Sequence, residues 1–159
     1  MQGITQMLWF DGRAEEAANF YVGVFEDARI VGKMLAPEGI PNTAAGSVLT
    51  VEFEIAGQHY TALNGGPQAK FNESVSFVVR CDSQEEVDRY WAALTADGGA
   101  PVQCGWLTDK FGLAWQVWPP DMEEMMTDPN GAKVAAVMAV VMKSVKLDGD
   151  EIRRAFDAA

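Results

Sequence analysis

The side chains that could do chemistry in this sequence are few, and they form no recognisable catalytic set. His59 is the sole histidine, and Cys81 and Cys104 are the only cysteines. Neither a CxxC pair nor a Cys/His cluster is present, so the number of ligands excludes a thiolate zinc site. A single imidazole without a partner does little acid–base chemistry, and we interpret His59 as a solvated strand-end residue. The sequence identifies no catalytic residue, and whether the protein is an enzyme stays open.

Two further candidates also have simpler interpretations. Cys104 stands beside Gly105 and Trp106 with no basic neighbour that would activate its thiol, which favours a packing role. Glu52 and Glu54 alternate with apolar residues, so they occupy one face of one strand. Catalytic carboxylate pairs come from facing elements, and we therefore expect these two glutamates on a solvated or dimer-rim face.

Two stretches of the chain repeat one pattern of secondary structure. In the first, a strand over residues 4–10 precedes a helix from residue 14, and strands are predicted over 28–35, 47–55 and 59–64. In the second, a strand over 74–81 precedes a helix over 84–95, and strands are predicted over 101–107 and 113–118. Both helices begin with a Glu-Glu pair, at 15–16 and 85–86, which an aromatic pair follows. The pattern indicates an internal duplication.

Composition and charge narrow the possible partners. The 159 residues are 48% hydrophobic and 22% charged, as in a globular protein, and the net charge of −11 repels phosphate backbones and anionic lipids. Residues 134–142 are the longest apolar run, too short for the roughly 20 residues of a membrane span, and no secretory signal is visible. We expect a cytoplasmic protein that binds neither nucleic acid nor membrane. The all-round apolar helix that contains this run needs cover, which predicts a homodimer.

Four segments carry a resemblance to a known family. They are ITQMLWF at 4–10, NFY at 19–21, ALNGG at 62–66 and CGWLTDKFGLAWQV at 104–117. They resemble the PhnB-like branch of the vicinal-oxygen-chelate superfamily, which includes glyoxalases, bleomycin-resistance proteins and extradiol dioxygenases. The resemblance implies an α+β fold in which two tandem βαβββ modules form an incomplete barrel around a cavity, usually in a homodimer. We expect one glyoxalase-like domain over 1–159, with modules at about 1–66 and 72–119 and a helical tail over 120–159.

The cofactors that the resemblance suggests find little support in the sequence. Members of this branch are often labelled methyltransferase-like, yet neither strand-to-helix turn has the glycine cluster of a nucleotide or S-adenosylmethionine site. Metal-using members place ligands on the first and last strands of each module. The matching positions here hold Thr5, Tyr60 or Ala62, Ser74 and Gln116, of which only Gln116 is a credible donor. We expect no cofactor and no conventional metal site.

The residues expected to line the cavity favour a small-molecule binding protein. Alternation places Ser74, Ser76, Val78 and Arg80 on the face opposite the helix. Gln116 and Trp118 share one face of the last strand. The predicted ligand-binding residues are Thr5, Met7, Trp9, Tyr60, Asn64, Ser74, Ser76, Trp106, Gln116 and Trp118, with Trp9 and Trp118 expected to sandwich a planar ligand. The alternatives are a metal-dependent lyase, dioxygenase or transferase of the same superfamily, or a structural dimer whose inward side chains only fill the barrel.

Overall fold

The structure is a computed structural model that describes residues 3–41 and 43–159. Residues 1 and 2, which begin the predicted first module, and residue 42, in the loop after the second predicted strand, lie outside the described residues. The chain divides into two units, Met1–Phe71 and Asn72–Ala159. The boundary falls between the two copies of the repeated pattern.

The first unit is a βαβββ module. Its elements are β1 (Gln6–Phe10), α1 (Ala14–Val24), β2 (Ala28–Leu35), β3 (Val48–Ile55) and β4 (Gln58–Asn64). They form a four-stranded sheet in the order β1-β4-β3-β2, in which β1 and β4 are parallel and the other pairs are antiparallel. Ala56 and Gly57 both have positive φ and make the tight turn between β3 and β4.

Strand alternation gives this sheet a buried face and an open face. Leu8 and Phe10 of β1, Phe53 of β3 and Ala62 of β4 are buried together with Tyr21 of α1. The opposite face contains the strand positions between them: Met7, Trp9, Thr50, Glu52, Glu54, His59, Thr61 and Leu63. Helix α1 therefore covers one side of the sheet, and the other side is open within this unit.

The second unit repeats the same strand order. Its module consists of β5 (Ser76–Arg80), α2 (Gln84–Thr95), a short 3₁₀ turn (Ala96–Gly98), β6 (Ala100–Pro101), β7 (Trp106–Thr108) and β8 (Ala114–Trp118). The sheet order is β5-β8-β7-β6, with β5 and β8 parallel. The predicted α+β fold with two tandem βαβββ modules is thus confirmed, and each sheet is an open four-stranded one.

One predicted strand of the second module is wrong. The sequence pattern predicts one strand over 101–107, but the structure has two short antiparallel strands there, β6 and β7, joined by a turn. The reason is a reversal at Cys104 and Gly105, which have φ values of 64° and 79°. Two successive left-handed residues turn the chain back on itself, and this turn supplies the strand that completes βαβββ.

Three helices follow the second module: α3 (Met122–Met126), α4 (Gly131–Val141) and α5 (Gly149–Asp157). They enclose a cluster of buried side chains, which we call the tail cluster: Met122, Met125, Val137, Val141, Leu147, Ile152 and Phe156. Helix α4 begins after Asn130, whose side chain caps it by accepting a hydrogen bond from Ala132 N. Val137 and Val141 of this apolar helix are covered within the unit, whereas Met142 is 61% exposed.

None of the described helices has the length and apolar character that a membrane span requires.

Candidate functional site

The open face of the second sheet holds a chain of hydrogen bonds between three predicted site residues. Gln116 Nε2 donates to Ser76 Oγ over 2.9 Å, and Trp118 Nε1 donates to Gln116 Oε1 over 3.2 Å. All three side chains are half-buried. Residues Val78 and Gln116 are direct partners in the β5–β8 register, so the amide lies in the middle of this face. The two neighbours fix both the position and the orientation of the amide.

Trp106 joins this group from the adjacent strand. It pairs with Gln116 in the β7–β8 register and is half-buried. On the other face, Phe77 packs edge-on against Trp115, with ring centroids 5.3 Å apart. In the structure, Ser76, Trp106, Gln116 and Trp118 share the open face of this sheet.

Arg80 and the tail lie at one end of the same face. Arg80 is opposite Trp118 in the register, and its Nε donates to Glu123 Oε2 of α3 over 2.7 Å. Trp118, in turn, packs against the tail cluster. The open face of the second sheet therefore runs from a polar centre to an end that the tail borders.

Asp109 holds the connection between β7 and β8 in place. Its carboxylate is 2% exposed and accepts hydrogen bonds from Phe111 N at 2.8 Å, Leu113 N at 3.1 Å and Trp115 Nε1 at 2.9 Å. A buried carboxylate is tolerated only where donors surround it in this way. Asp109 positions the strand that carries Gln116 and Trp118. Sequence reasoning missed it, although a turn aspartate two residues before a backbone donor is a known pattern.

Trp9 is a fixed aromatic surface on the open face of the first sheet. The ring is 37% exposed, and its Nε1 donates to Gly66 O over 2.8 Å. Gly65 allows this approach, since a Cβ at that position would lie 2.3 Å from the indole. The Gly65-Gly66 pair therefore has a packing function, which agrees with the absence of a nucleotide-binding turn there.

The other predicted residues of the first module are distributed over both faces. Met7 shares the open face with Trp9 and is 61% exposed. Thr5 precedes β1 and is exposed, just as Ser74 precedes β5 and is exposed in the second unit. Tyr60 belongs to the face that α1 covers, where it stacks on Phe53 at 5.3 Å, and burial raises its pKa.

Asn64 has a structural use at the end of β4. Its Oδ1 accepts from Ala14 N over 2.8 Å, and its Nδ2 donates to Val48 O over 3.0 Å. The first residue of α1 thus receives its cap from a strand fifty residues away in sequence. One side of Asn64 nevertheless borders a cleft.

This cleft, of about 360 Å³, lies in the first unit and was not predicted from the sequence. Its wall includes the turn before α1, the loop before β3 and the end of β4: Asp11, Gly12, Glu15, Pro41, Thr43, Ala44, Ser47, Val48, Asn64, Gly65 and Gly66. Lys33 forms an ion pair with Glu15 at its margin. The Asp11-Gly12 and Gly65-Gly66 turns are the sequence signal that could have indicated it.

His59 and Glu54 form a charged group at the hairpin end of β3 and β4, the two central strands of the first sheet. Glu54 accepts from Arg29 Nη2 over 2.8 Å, and His59 Nε2 lies 3.8 Å from Glu54. The His59 side chain is 61% exposed. The exposure of His59 confirms its interpretation as a solvated strand-end residue.

The two thiols have different surroundings. Burial, followed by the charges of Glu86 and Asp82, raises the pKa of Cys81 to about 12. Cys104 is half-buried, and its Sγ lies 3.7 Å from Met142 Sδ. A neutral buried thiol is a poor nucleophile and a poor metal ligand, so Cys81 has a packing role.

The positions at which the superfamily carries metal ligands supply few donors here. Tyr60 stacks in the first unit's buried face, Ala62 offers no side-chain donor atom, and Gln116, held by Ser76 and Trp118, is the one credible donor among them. Among the residues that the structure describes, no three His, Cys, Asp or Glu side chains are grouped closely enough to hold an ion. The residues of this chain do not fit a conventional metal centre.

Two tandem βαβββ modules, each with one open sheet face, are the architecture of the vicinal-oxygen-chelate class, and the predicted PhnB-like branch is confirmed. The chain belongs to the family described as 3-demethylubiquinone-9 3-methyltransferase, whose pattern matches residues 2–118. None of the curated proteins compared with the sequence matches it.

Solved structures support the same assignment. A PhnB protein from Bacillus cereus is 33% identical, and the match covers 73% of this chain and 98% of that one with a TM-score of 0.65. A protein from Pseudomonas aeruginosa is 23% identical over 74% and 96% of the two chains, with a TM-score of 0.59. The fosfomycin resistance protein FosX from Listeria monocytogenes, complexed with Mn(II) and sulfate, is 16% identical over 79% and 96%, with a TM-score of 0.53. The last two likenesses concern the fold alone.

Proposed function

We propose that this chain is a small-molecule binding protein of the PhnB-like type, which takes a flat, largely apolar ligand on the open faces of its sheets without a conventional metal site. The observation that carries the proposal is the Trp118–Gln116–Ser76 chain of hydrogen bonds, half-buried among aromatic side chains. Small-molecule sites combine such apolar walls with a few polar groups held in place.

The amide of Gln116 still has bonding capacity for a ligand. A primary amide offers two N–H donors and two lone pairs on its oxygen. One N–H is used by Ser76 and one lone pair by Trp118, which leaves one of each available on a fixed group. Because the orientation is set before any ligand arrives, binding costs little side-chain entropy. Trp106 and Trp118 supply ring surface beside the amide.

The first sheet offers a second aromatic surface of the same kind. Trp9 is held by Gly66 and by the close approach of Gly65, so a ligand that stacks on its exposed ring does not need to order it. Met7 on the same face adds a polarisable, adaptable side chain.

Methyl transfer and metal chemistry have less support in this chain. The strand-to-helix turns, Asp11-Gly12-Arg13 and Cys81-Asp82-Ser83, contain a single glycine and lack the turn that cradles a nucleotide-containing cofactor. The ligand positions of metal-using relatives hold one credible donor in this chain, Gln116, whereas a metal centre needs at least three. We therefore do not assign methyltransferase activity to this chain.

A fluorescence titration with N-phenyl-1-naphthylamine, an uncharged aromatic dye, tests the proposal. We expect binding to the parent protein, and a loss of about tenfold in affinity at the second sheet for Trp118→Leu, since ring stacking and lost apolar contact together approach 1.4 kcal/mol. Trp9→Ala tests binding at the first sheet separately, with a loss of the same size expected there. Gln116→Leu changes the ranking of dye analogues that carry a hydrogen-bonding group. His59→Ala is the control, with unchanged affinity because this side chain is solvated.

Native mass spectrometry of the purified protein provides the second measurement. A retained small molecule would support the proposal directly. If the dye does not bind the folded parent protein and Trp9→Ala and Trp118→Ala both unfold the chain, these rings are core residues and the proposal is wrong.

A further inference from the structure

The C-terminal tail, residues 119–159, lies beyond the residues that the family pattern matches, yet it is joined to the second module by specific contacts. Cys104 N and Gly105 N donate to Ser144 O and Val145 O, both over 2.8 Å. The Gln84 side chain of α2 bonds Leu147 O and Gly149 N at 3.2 and 2.9 Å. The tail is therefore an integral part of this unit, and its position relative to the open face is fixed.

The tail contacts the open face of the second sheet at Arg80. Of the described strand positions on the open face, Arg80 is the sole charged one; the others are Ser76, Val78, Ala100, Trp106, Thr108, Ala114, Gln116 and Trp118. Arg80 is directly opposite Trp118, which packs against the tail cluster. Glu123 of α3 then binds Arg80 Nε at 2.7 Å.

An arginine beside an aromatic ring is an effective site for an anionic aromatic ligand, because guanidinium groups bind carboxylates, sulfonates and phosphates through paired hydrogen bonds. In this chain a carboxylate of the protein already occupies that position. An incoming anion must displace the Glu123 carboxylate from Arg80 and is then repelled by it, whereas an uncharged ligand is not repelled.

We infer that Glu123 makes the tail a specificity element: the Arg80–Glu123 pair directs the site on the second sheet toward uncharged aromatic ligands and against anionic ones. This inference rests on the proposed function, whose ligand it assigns to a chemical class. Both side chains of the pair are more than half exposed, at 64% and 60%, and solvent weakens their charges. We therefore expect a moderate difference in affinity between uncharged and anionic ligands.

Two dyes with the same aromatic frame measure this selection. N-phenyl-1-naphthylamine is uncharged, and 8-anilinonaphthalene-1-sulfonate carries one sulfonate. We expect the parent protein to prefer the uncharged dye, and Glu123→Gln to raise affinity for the sulfonate about fivefold, as expected from removing one opposing charge about 4 Å away in water. The affinity for the uncharged dye stays the same in this variant.

Glu124→Gln is the matched control, because it removes the same charge from the same helix and leaves the Arg80 contact in place. It should change neither affinity by more than twofold. An equal gain in sulfonate affinity for both variants would show a general charge effect and overturn the inference. So would a Glu123→Gln variant that binds both dyes like the parent.

Failure of the proposed function gives a different result. In that case the uncharged dye does not bind the parent protein, or binds it with an affinity that Trp118→Leu leaves unchanged. If the uncharged dye binds and depends on Trp118 while Glu123→Gln has no effect on the sulfonate, the proposed function stands and the assignment of Glu123 is wrong.

Discussion

Replacing Asp109 by asparagine tests how the second module holds its last strand. The carboxylate is nearly inaccessible, and its two oxygens serve three donors: Oδ1 accepts from Phe111 N and Leu113 N, and Oδ2 accepts from the Trp115 indole. Asparagine keeps the shape of the side chain but replaces one acceptor oxygen by an NH₂ group. In either orientation of the amide, at least one donor of the protein faces another donor.

The magnitude follows from these contacts. In the better orientation the amide oxygen remains on the two backbone donors, and the Trp115 N–H is left without an acceptor. A hydrogen bond to a charged group contributes about 1.5–3 kcal/mol, and a buried donor without a partner costs about 1–3 kcal/mol. We expect Asp109→Asn to lower the free energy of unfolding by about 3 kcal/mol, a large part of the roughly 5–15 kcal/mol typical of a domain.

Guanidinium denaturation monitored by circular dichroism measures this loss. Trp115→Phe removes one donor without orphaning the carboxylate, so it should cost less, about 1.5 kcal/mol, and the double variant should cost less than the sum of the two. An Asp109→Asn variant within 1 kcal/mol of the parent would refute the reasoning, because it would mean that the three contacts do not act together.

Four other predictions follow from named contacts. Iodoacetamide at pH 8 should modify Cys104 well before Cys81, whose pKa burial raises to about 12; peptide mass mapping checks this, and equal rates would contradict it. Lys146→Gln should raise the pKa of Asp88 toward its ordinary value in an NMR titration, since the hydrogen bond from Lys146 lowers it and favours the folded state above that pKa; an unchanged value would show that the pair is absent in solution. Elemental analysis after dialysis should find no stoichiometric Zn, Mn, Fe or Ni, and about one metal per chain that is lost in Gln116→Ala would overturn this. Light scattering at micromolar concentration should give a homodimer of the 17.3 kDa chain, and a stable monomer would exclude it.

The repeated fold could be predicted from the sequence because its signals are local. Alternation marked β3 and β5, and the Glu-Glu pairs marked the first turns of α1 and α2, which begin at Ala14 and Gln84. In the second module the alternation also gave the correct open face, since Ser76 and Gln116 are joined by a hydrogen bond there. A period of two residues is enough to divide a strand between faces once its position is known.

Contacts between distant segments could not be predicted in the same way. Tyr60 and Asn64 lie on the opposite face of the sheet from Trp9. This follows from the register between β4 and β1, which no local sequence pattern specifies. Asn64 caps a helix fifty residues earlier, and Asp109 binds an indole on the next strand. Each of these depends on the three-dimensional approach of two elements, whereas side-chain type and spacing report only on neighbours along one element.

The two modules share one strand order and differ in what lies on their open faces. Trp9 and Met7 on the first sheet stand among Glu52, Glu54 and His59, with Arg29 binding Glu54 from the edge strand. On the second sheet an amide, a hydroxyl and an indole are joined, and the single cation, Arg80, is neutralised by the tail. A duplicated sheet needs only a few changes at alternate positions to acquire a new face, because the buried face and the backbone pairing stay the same. The tail follows only the second copy of the module, and its Glu123 binds Arg80 at the end of the open face. Ligand selection by charge in this chain therefore depends on the segment that the repeat does not include.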